Sequence, residues 1–113
     1  MHNHSWQEEF PAAITVTDAE GIIIEMNRKA AETFTNSGGK NLIGKNIFDC
    51  HPGTAQAKIK QISQDTEPNI YTIKKGGVRK LIYQSPYFED GRYAGLVELS
   101  LEIPEEIPQF NRD

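Results

Sequence analysis

The chain has 113 residues and a mass of 12.7 kDa, which allows one domain with one core. Hydrophobic side chains make up 37% and charged ones 25%, with a mean hydropathy of −0.56, so wholesale disorder is excluded. Twelve basic against sixteen acidic side chains give a net charge of −4, which leaves no cationic stripe for a nucleic acid.

The densest basic group (Lys74, Lys75, Arg79, Lys80) surrounds a turn and reads as solvated hairpin charge. A lone cysteine, Cys50, excludes an internal disulfide and any multi-thiolate zinc or iron–sulfur site. No apolar run approaches the ~20 residues of a membrane-spanning helix. The start, Met1-His2-Asn3-His4, lacks the basic and apolar stretches of a secretory signal, and its His-x-His reads as a frayed tail. A cytoplasmic protein with no membrane or direct nucleic-acid partner is expected.

In chain order, residues 5–10 suit a short amphipathic helix with Trp6 and Phe10 on one face, ended by Pro11. Residues 13–17 alternate Ile14 and Val16 against threonines, the pattern of a half-buried strand. Asp18-Ala19-Glu20-Gly21 forms a turn, and residues 22–26 return as the second strand of a hairpin. Asn27 caps a helix over 28–35 that groups Ala30, Ala31 and Phe34. Asn36-Ser37-Gly38-Gly39 breaks it. Residues 42–48 read as short helical turns with Leu42, Ile43, Ile47 and Phe48 as buried anchors. A helix over 54–64 follows, with Ala55, Ile59 and Ile62 on one face.

The last third is β-rich. Strands over 69–75 and 78–85 flank Gly76-Gly77, and Asp90-Gly91 signals another hairpin. Residues 93–103 carry the cleanest alternation, Val97, Leu99, Leu101 and Ile103 against Glu98, Ser100 and Glu102. Such a strand is buried on one side, beneath helices covering a single face. Pro104 and Pro108 stop regular structure. Strands at both ends with helices between predict an α+β fold. Its parts are a helical cap over 1–10, the folded region over 11–103 and a Pro-containing tail over 104–113. A cleft between sheet and helices is the expected ligand site.

Five segments in this order resemble the PAS (sensory box) domain family. They are Phe10-Pro11-Ala12-Ala13-Ile14, the run Thr17-Asp18-Ala19-Glu20-Gly21-Ile22-Ile23, and Asn27-Arg28-Lys29-Ala30-Ala31. Ile43-Gly44-Lys45-Asn46 and Asp90-Gly91-Arg92-Tyr93-Ala94-Gly95, with Val97-Glu98-Leu99, complete the set. The resemblance spans residues 6–103 and implies a five-stranded antiparallel sheet in order 2-1-5-4-3 with helices on one face. It also implies a sensor of small ligands or cofactors (haem, flavins, organic acids) acting through protein–protein contacts. Such domains usually belong to histidine kinases, cyclic-dinucleotide enzymes or transcription regulators.

The flavin photosensor branch needs a reactive cysteine where this chain has Ile47, so a flavin photo-adduct is not expected. No cofactor is assigned; haem is the sharper candidate, ranked behind a structural reading of the same residues. Cys50-His51-Pro52 resembles a Cys-His-Pro segment of one PAS subgroup and precedes the helix that presents histidine in haem-binding members. One of His51 and Cys50 could ligate iron. Alternatively, His51 orients its loop and Cys50 is a small buried hydrophobe. For another ligand, Tyr71, Tyr83 and Ser85 are candidate cleft-facing groups, whose hydroxyls otherwise reach solvent; Met26 reads as core filler.

Asp49, Cys50 and His51 do not make a triad, because side chains of consecutive residues diverge. Ser37-Gly38-Gly39-Lys40 lacks phosphate-loop spacing. With no base, nucleophile and oxyanion donor set, a non-enzyme is expected. Most PAS domains continue from the last strand into a helical linker, whereas here Pro104-Glu105-Glu106-Ile107-Pro108 follows. A homodimer, with Trp6 and Phe10 as apolar stripe, or an effector-domain partner is therefore expected. A ligand-free interaction module is the alternative to a sensor.

Overall fold

The computed structural model describes residues 6–47 and 67–113. Strand β1 (Ala13–Asp18) turns back into β2 (Ile23–Met26) through Asp18, whose Oδ1 accepts from the backbone N–H of Glu20 and Ile22 at 2.9 and 3.0 Å. Ile22 lies outside β2 and bridges instead to Asn46.

Asn27 then starts α2 (Arg28–Thr33), with its Oδ1 accepting from Ala30 N–H at 2.9 Å. The same oxygen accepts from Ile14 N–H at 2.9 Å, and Nδ2 donates to the carbonyls of Gln7 (2.8 Å) and Ala12 (2.7 Å). This one buried side chain thus ties β1, α2 and the short α1 (Trp6–Glu9) together. Ion pairs Glu9–Arg28 (3.1 Å) and Glu8–Lys40 (3.1 Å) add exposed contacts of small individual worth. Trp6 and Phe10 meet edge to face at 5.4 Å, yet Trp6 stays 63% exposed.

After α2, two short 3₁₀ turns (Thr35–Ser37 and Gly39–Leu42) carry the chain across the sheet. Leu42 and Ile47 are buried as expected, whereas Ile43 is exposed, because its backbone has already left the turn in extended geometry. Phe48 and the helix expected over 54–64 lie outside the described residues.

β3 (Asn69–Lys75), β4 (Val78–Glu89) and β5 (Arg92–Ile103) follow as a meander. Gly76 and Gly77 (φ 59° and 80°), then Asp90 and Gly91 (φ 52° and 77°), give both hairpins two consecutive positive-φ residues, the twist-matched turn geometry. All pairings are antiparallel and the order is β2-β1-β5-β4-β3, as the resemblance implied. β4 runs four residues beyond the expected Ser85. Pro86 does not stop it, since β3 pairs no further than Gln84 and β5 is its one strand neighbour there.

The register defines the two faces. Met26, Thr15, Glu98, Gln84 and Asn69 form one row across all five strands. On this face Ala13, Ile23, Met26 and Leu96 pack with Ala30, Leu42, Ile47 and Phe34 into the core. Ile14, Leu99, Tyr83 and Ile70 form a row on the opposite face, flanked by Val16, Val97 and Leu101. The alternation in β1 and β5 therefore holds, but with the reverse assignment. Threonines and Glu98 lie beneath the helical segments, and the branched apolar residues lie on the other face. A period of two separates the faces without saying which one is covered.

At the hairpin end, Gly95 passes so close to β1 that a Cβ would overlap the Thr17 carbonyl oxygen. Tyr87 donates its hydroxyl to that same carbonyl at 3.1 Å.

Asn27→Ala is expected to destabilise the fold by roughly 2–4 kcal/mol, since it removes a cap and strands buried donors and acceptors. Asn27→Asp is expected to destabilise too, by about 2 kcal/mol, although Asp caps helices equally well. Its second oxygen would face the Gln7 and Ala12 carbonyls that Nδ2 now satisfies. Urea denaturation of both variants checks this, and an Asp variant as stable as wild type would reduce Asn27 to an ordinary cap.

Candidate functional site

Between the covered face of the sheet and the short turns lies a cavity of about 130 Å³. Ile23, Met26, Leu96, Phe34, Leu42 and Ile47 form its apolar walls. Strands β1 and β5 contribute Thr15, Thr17 and Glu98 as polar groups, and the first 3₁₀ turn contributes Ser37. The threonines suit their strands because β-branched side chains fit a pleated surface. Their side chains project on the cavity face because Ile14 and Val16 take the other side.

Glu98 is held in place from β4 and β3. Gln84 Nε2 donates to Glu98 Oε2 at 2.9 Å, and Asn69 Nδ2 donates to Gln84 Oε1 at 3.0 Å. Gln84 is buried, so this chain fixes which end of its amide meets the carboxylate. Glu98 Oε1 meets no donor, and no cation pairs with Glu98 among the described residues. Thr17 is only 3% exposed, and its Oγ1 has no hydrogen-bond partner among the described residues. An unpaired buried hydroxyl costs about 1–3 kcal/mol relative to a paired one.

Tyr71 projects from β3 on this face, next to Ile82 in the register. Burial, and then the charge of Glu98, push its phenol above the usual range. Tyr87 and Tyr93 are also raised, each chiefly by burial. The carboxylates of Glu89, Glu25 and Asp18 add to the shift at Tyr87, and Tyr87 with Asp18 adds at Tyr93.

Of the residues expected at the site, Tyr71 shares the cavity face. Tyr83 and Ser85 do not: they pair with Leu99 and Val97 and project from the opposite face. Their spacing is uniform within β4, but cross-strand register decides the side. Ser85 Oγ donates instead to the Pro86 carbonyl at 3.0 Å. Cys50 and His51 lie outside the described residues. Met26 is both core and cavity wall. Sequence reasoning passed over Thr15, Thr17, Ser37, Gln84 and Glu98. One signal was available, the polar side of the final strand's alternation, on which Glu98 stands with Ser100 and Glu102.

The PAS fold family profile matches residues 2–94. The chain belongs to the PAS family. No curated protein sequence matches this PAS domain. Among solved structures it is similar to the Aer2 receptor of Vibrio cholerae, described as a dual PAS-heme oxygen sensor. That match has 22% identity and a TM-score of 0.65, covering 82% of this chain and 95% of that one. It is similar to the PAS domain of the histidine kinase ThkA at 22% identity and a TM-score of 0.66, covering 80% and 97%. VqmA bound to DPO matches at 11% identity and a TM-score of 0.68, covering 88% of this chain and 56% of that one. These likenesses establish the fold.

The haem expectation rests on Cys50 and His51 alone. Among the described residues the cavity carries a carboxylate and hydroxyls in an apolar space, and Cys50 and His51 lie outside those residues. At about 130 Å³ the space is well short of the roughly 300–1,000 Å³ of pockets for drug-sized ligands. Ile47 lines the cavity as an aliphatic wall, where the flavin photosensors need a thiol. Among the described residues no group of three His, Cys, Asp or Glu could hold a metal ion, and no helix is long and apolar enough to cross a membrane.

Glu98→Gln is expected to lower the Tyr71 pKa while leaving it above the ordinary value of about 10, because burial, the larger cause, remains. The linkage has a definite sign. A raised phenol pKa leaves stability intact below the unfolded value of about 10 and removes it as pH climbs toward the folded value. The variant should therefore resist alkaline unfolding better than wild type. Ultraviolet titration of tyrosinate in wild type, Glu98→Gln and Tyr71→Phe measures the shift, and an unchanged Tyr71 would separate the two groups.

Proposed function

We propose that this PAS domain is a non-catalytic sensory and regulatory module. It binds a small ligand in the cavity and signals through protein–protein contacts, in signal transduction or transcription regulation. One observation carries this reading: beside an otherwise apolar cavity, the buried Thr17 hydroxyl and one oxygen of the half-buried Glu98 have no partner among the described residues. A space that served packing alone would be lined with side chains needing no partner. The neighbours support it, since their own descriptions name an oxygen sensor, a histidine kinase and a DPO-bound receptor.

The mechanism follows from what the walls belong to. Thr15, Thr17, Leu96 and Glu98 stand on the sheet, whereas Phe34, Ser37 and Leu42 stand on the segments that cover it. A ligand touching both sets favours the closed packing and shifts an existing equilibrium by its differential affinity. At this volume one six-membered ring fits, comparable to engineered cavities of about 150 Å³ that admit benzene.

A second reading, a ligand-free dimerisation module, is favoured by the opposite face of the sheet. Ile14, Leu99, Tyr83 and Ile70 make a continuous apolar row there, and Ile70 is 53% exposed. An apolar row of this kind marks an interaction surface. Both readings hold together if occupancy controls pairing.

Native mass spectrometry of the purified protein, set beside its denatured mass, is expected to show a retained molecule of one-ring size. Haemin in excess is expected to give no Soret shift, and a shift lost in His51→Ala would restore haem. A bare mass, with no thermal stabilisation by ring-sized compounds, would leave the interaction module ahead. For the second reading, sedimentation is expected to show wild-type dimers and Leu99→Lys monomers. Monomers in both would remove pairing through this face.

A further inference from the structure

We propose that the cavity selects an organic ammonium: a compact apolar body of one-ring size whose protonated amine meets Glu98. This rests on the sensing reading and names the chemical class of its ligand. Glu98 is the one ionised side chain lining the cavity among the described residues, and the walls around it are aliphatic or aromatic. One carboxylate oxygen is occupied by Gln84 Nε2, while the other has neither donor nor cation among the described residues.

Gln84 cannot change this arrangement by rotating its amide, because Asn69 holds the carbonyl end. The carboxylate therefore stays an acceptor aimed at apolar space. Charge-assisted N⁺–H···O⁻ bonds are about twice as strong as neutral ones, and a low-dielectric wall strengthens them further. An organic acid would place a second negative charge against Glu98, which disfavours that ligand class.

An independent observation lies two residues away along the rows. Thr17 pairs with Leu96 and Thr15 pairs with Glu98, so Thr17 and Glu98 are diagonal neighbours on one face. Such neighbours sit roughly 7–8 Å apart, somewhat less at Cβ, about the span of a single ring. Thr17 therefore stands on the wall that a ligand anchored at Glu98 reaches, and its buried hydroxyl has no partner among the described residues.

The test uses the ¹⁵N-labelled full chain with three probes of matched shape: benzylamine, toluene and benzoate. Benzylamine is expected to shift the amides of Thr15, Thr17, Leu96 and Glu98, and to bind at least about tenfold more tightly than benzoate, with toluene between them. Glu98→Gln preserves size and a hydrogen-bonding end. It is expected to remove that advantage while leaving toluene binding unchanged, and its own spectrum reports that it is folded. Equal binding of benzylamine and benzoate, or a preference that survives Glu98→Gln, overturns the proposal. If toluene occupies the cavity with no gain from the amine, the ligand class falls and the sensing reading stands. If none of the probes shifts the cavity amides at millimolar concentration, both fall.

Discussion

The Asn27 side chain is the contact on which the other arrangements depend. Its oxygen accepts from the N–H of Ile14, at the start of β1, and from that of Ala30, in the first turn of α2. Its amide donates to Gln7 and Ala12 on the segment before β1. β1 pairs with β2 on one side and β5 on the other, so fixing where it starts fixes both registers. A slip of one residue would send Ile14 and Val16 into the cavity and take Thr15 and Thr17 out of it. The chemistry of the cavity thus follows from a side chain that does not line it.

The far end of β1 is fixed by a second constraint. Gly95 leaves no room for a side chain against the Thr17 carbonyl, and Tyr87 caps that carbonyl with its hydroxyl. The backbone of Thr17 is therefore engaged from two strands while its hydroxyl has no partner among the described residues. That separation matters energetically. Strong backbone contacts can carry the cost of one unsatisfied side-chain group, and such a group persists where a ligand can relieve it.

Local chemistry made much of this legible in the sequence. Gly76-Gly77 and Asp90-Gly91 specify their turns whatever surrounds them, and Asn27 before an alanine-rich stretch is a cap. The strand order came from the resemblance, and pairing bears it out. The identity of the covered face was not legible, because it depends on how far short segments such as Thr35–Ser37 and Gly39–Leu42 reach over the sheet. For the same reason Tyr71 and Tyr83 looked equivalent, though their registers put them on opposite faces. Glu98 and Gln84 are fourteen residues apart and become one polar unit only when β4 and β5 pair. The strand expected over 78–85 runs on through Pro86, whose missing N–H matters in a central strand, which β4 is no longer at that point.

β5 joins the two readings of the molecule. Glu98 faces the cavity between Val97 and Leu99, which face the other way. Side chains one residue apart on a strand share a rigid backbone but see different environments. On the proposed reading, a ligand drawing on Glu98 pulls at the same peptide units that carry Val97 and Leu99. The displacement needed to alter the apolar row is small, because packed faces switch between discrete arrangements and do not deform smoothly. With Pro104 following Ile103, β5 does not run on directly into a helix. The short path through the sheet, from polar row to apolar row, then becomes the route by which occupancy reaches a partner.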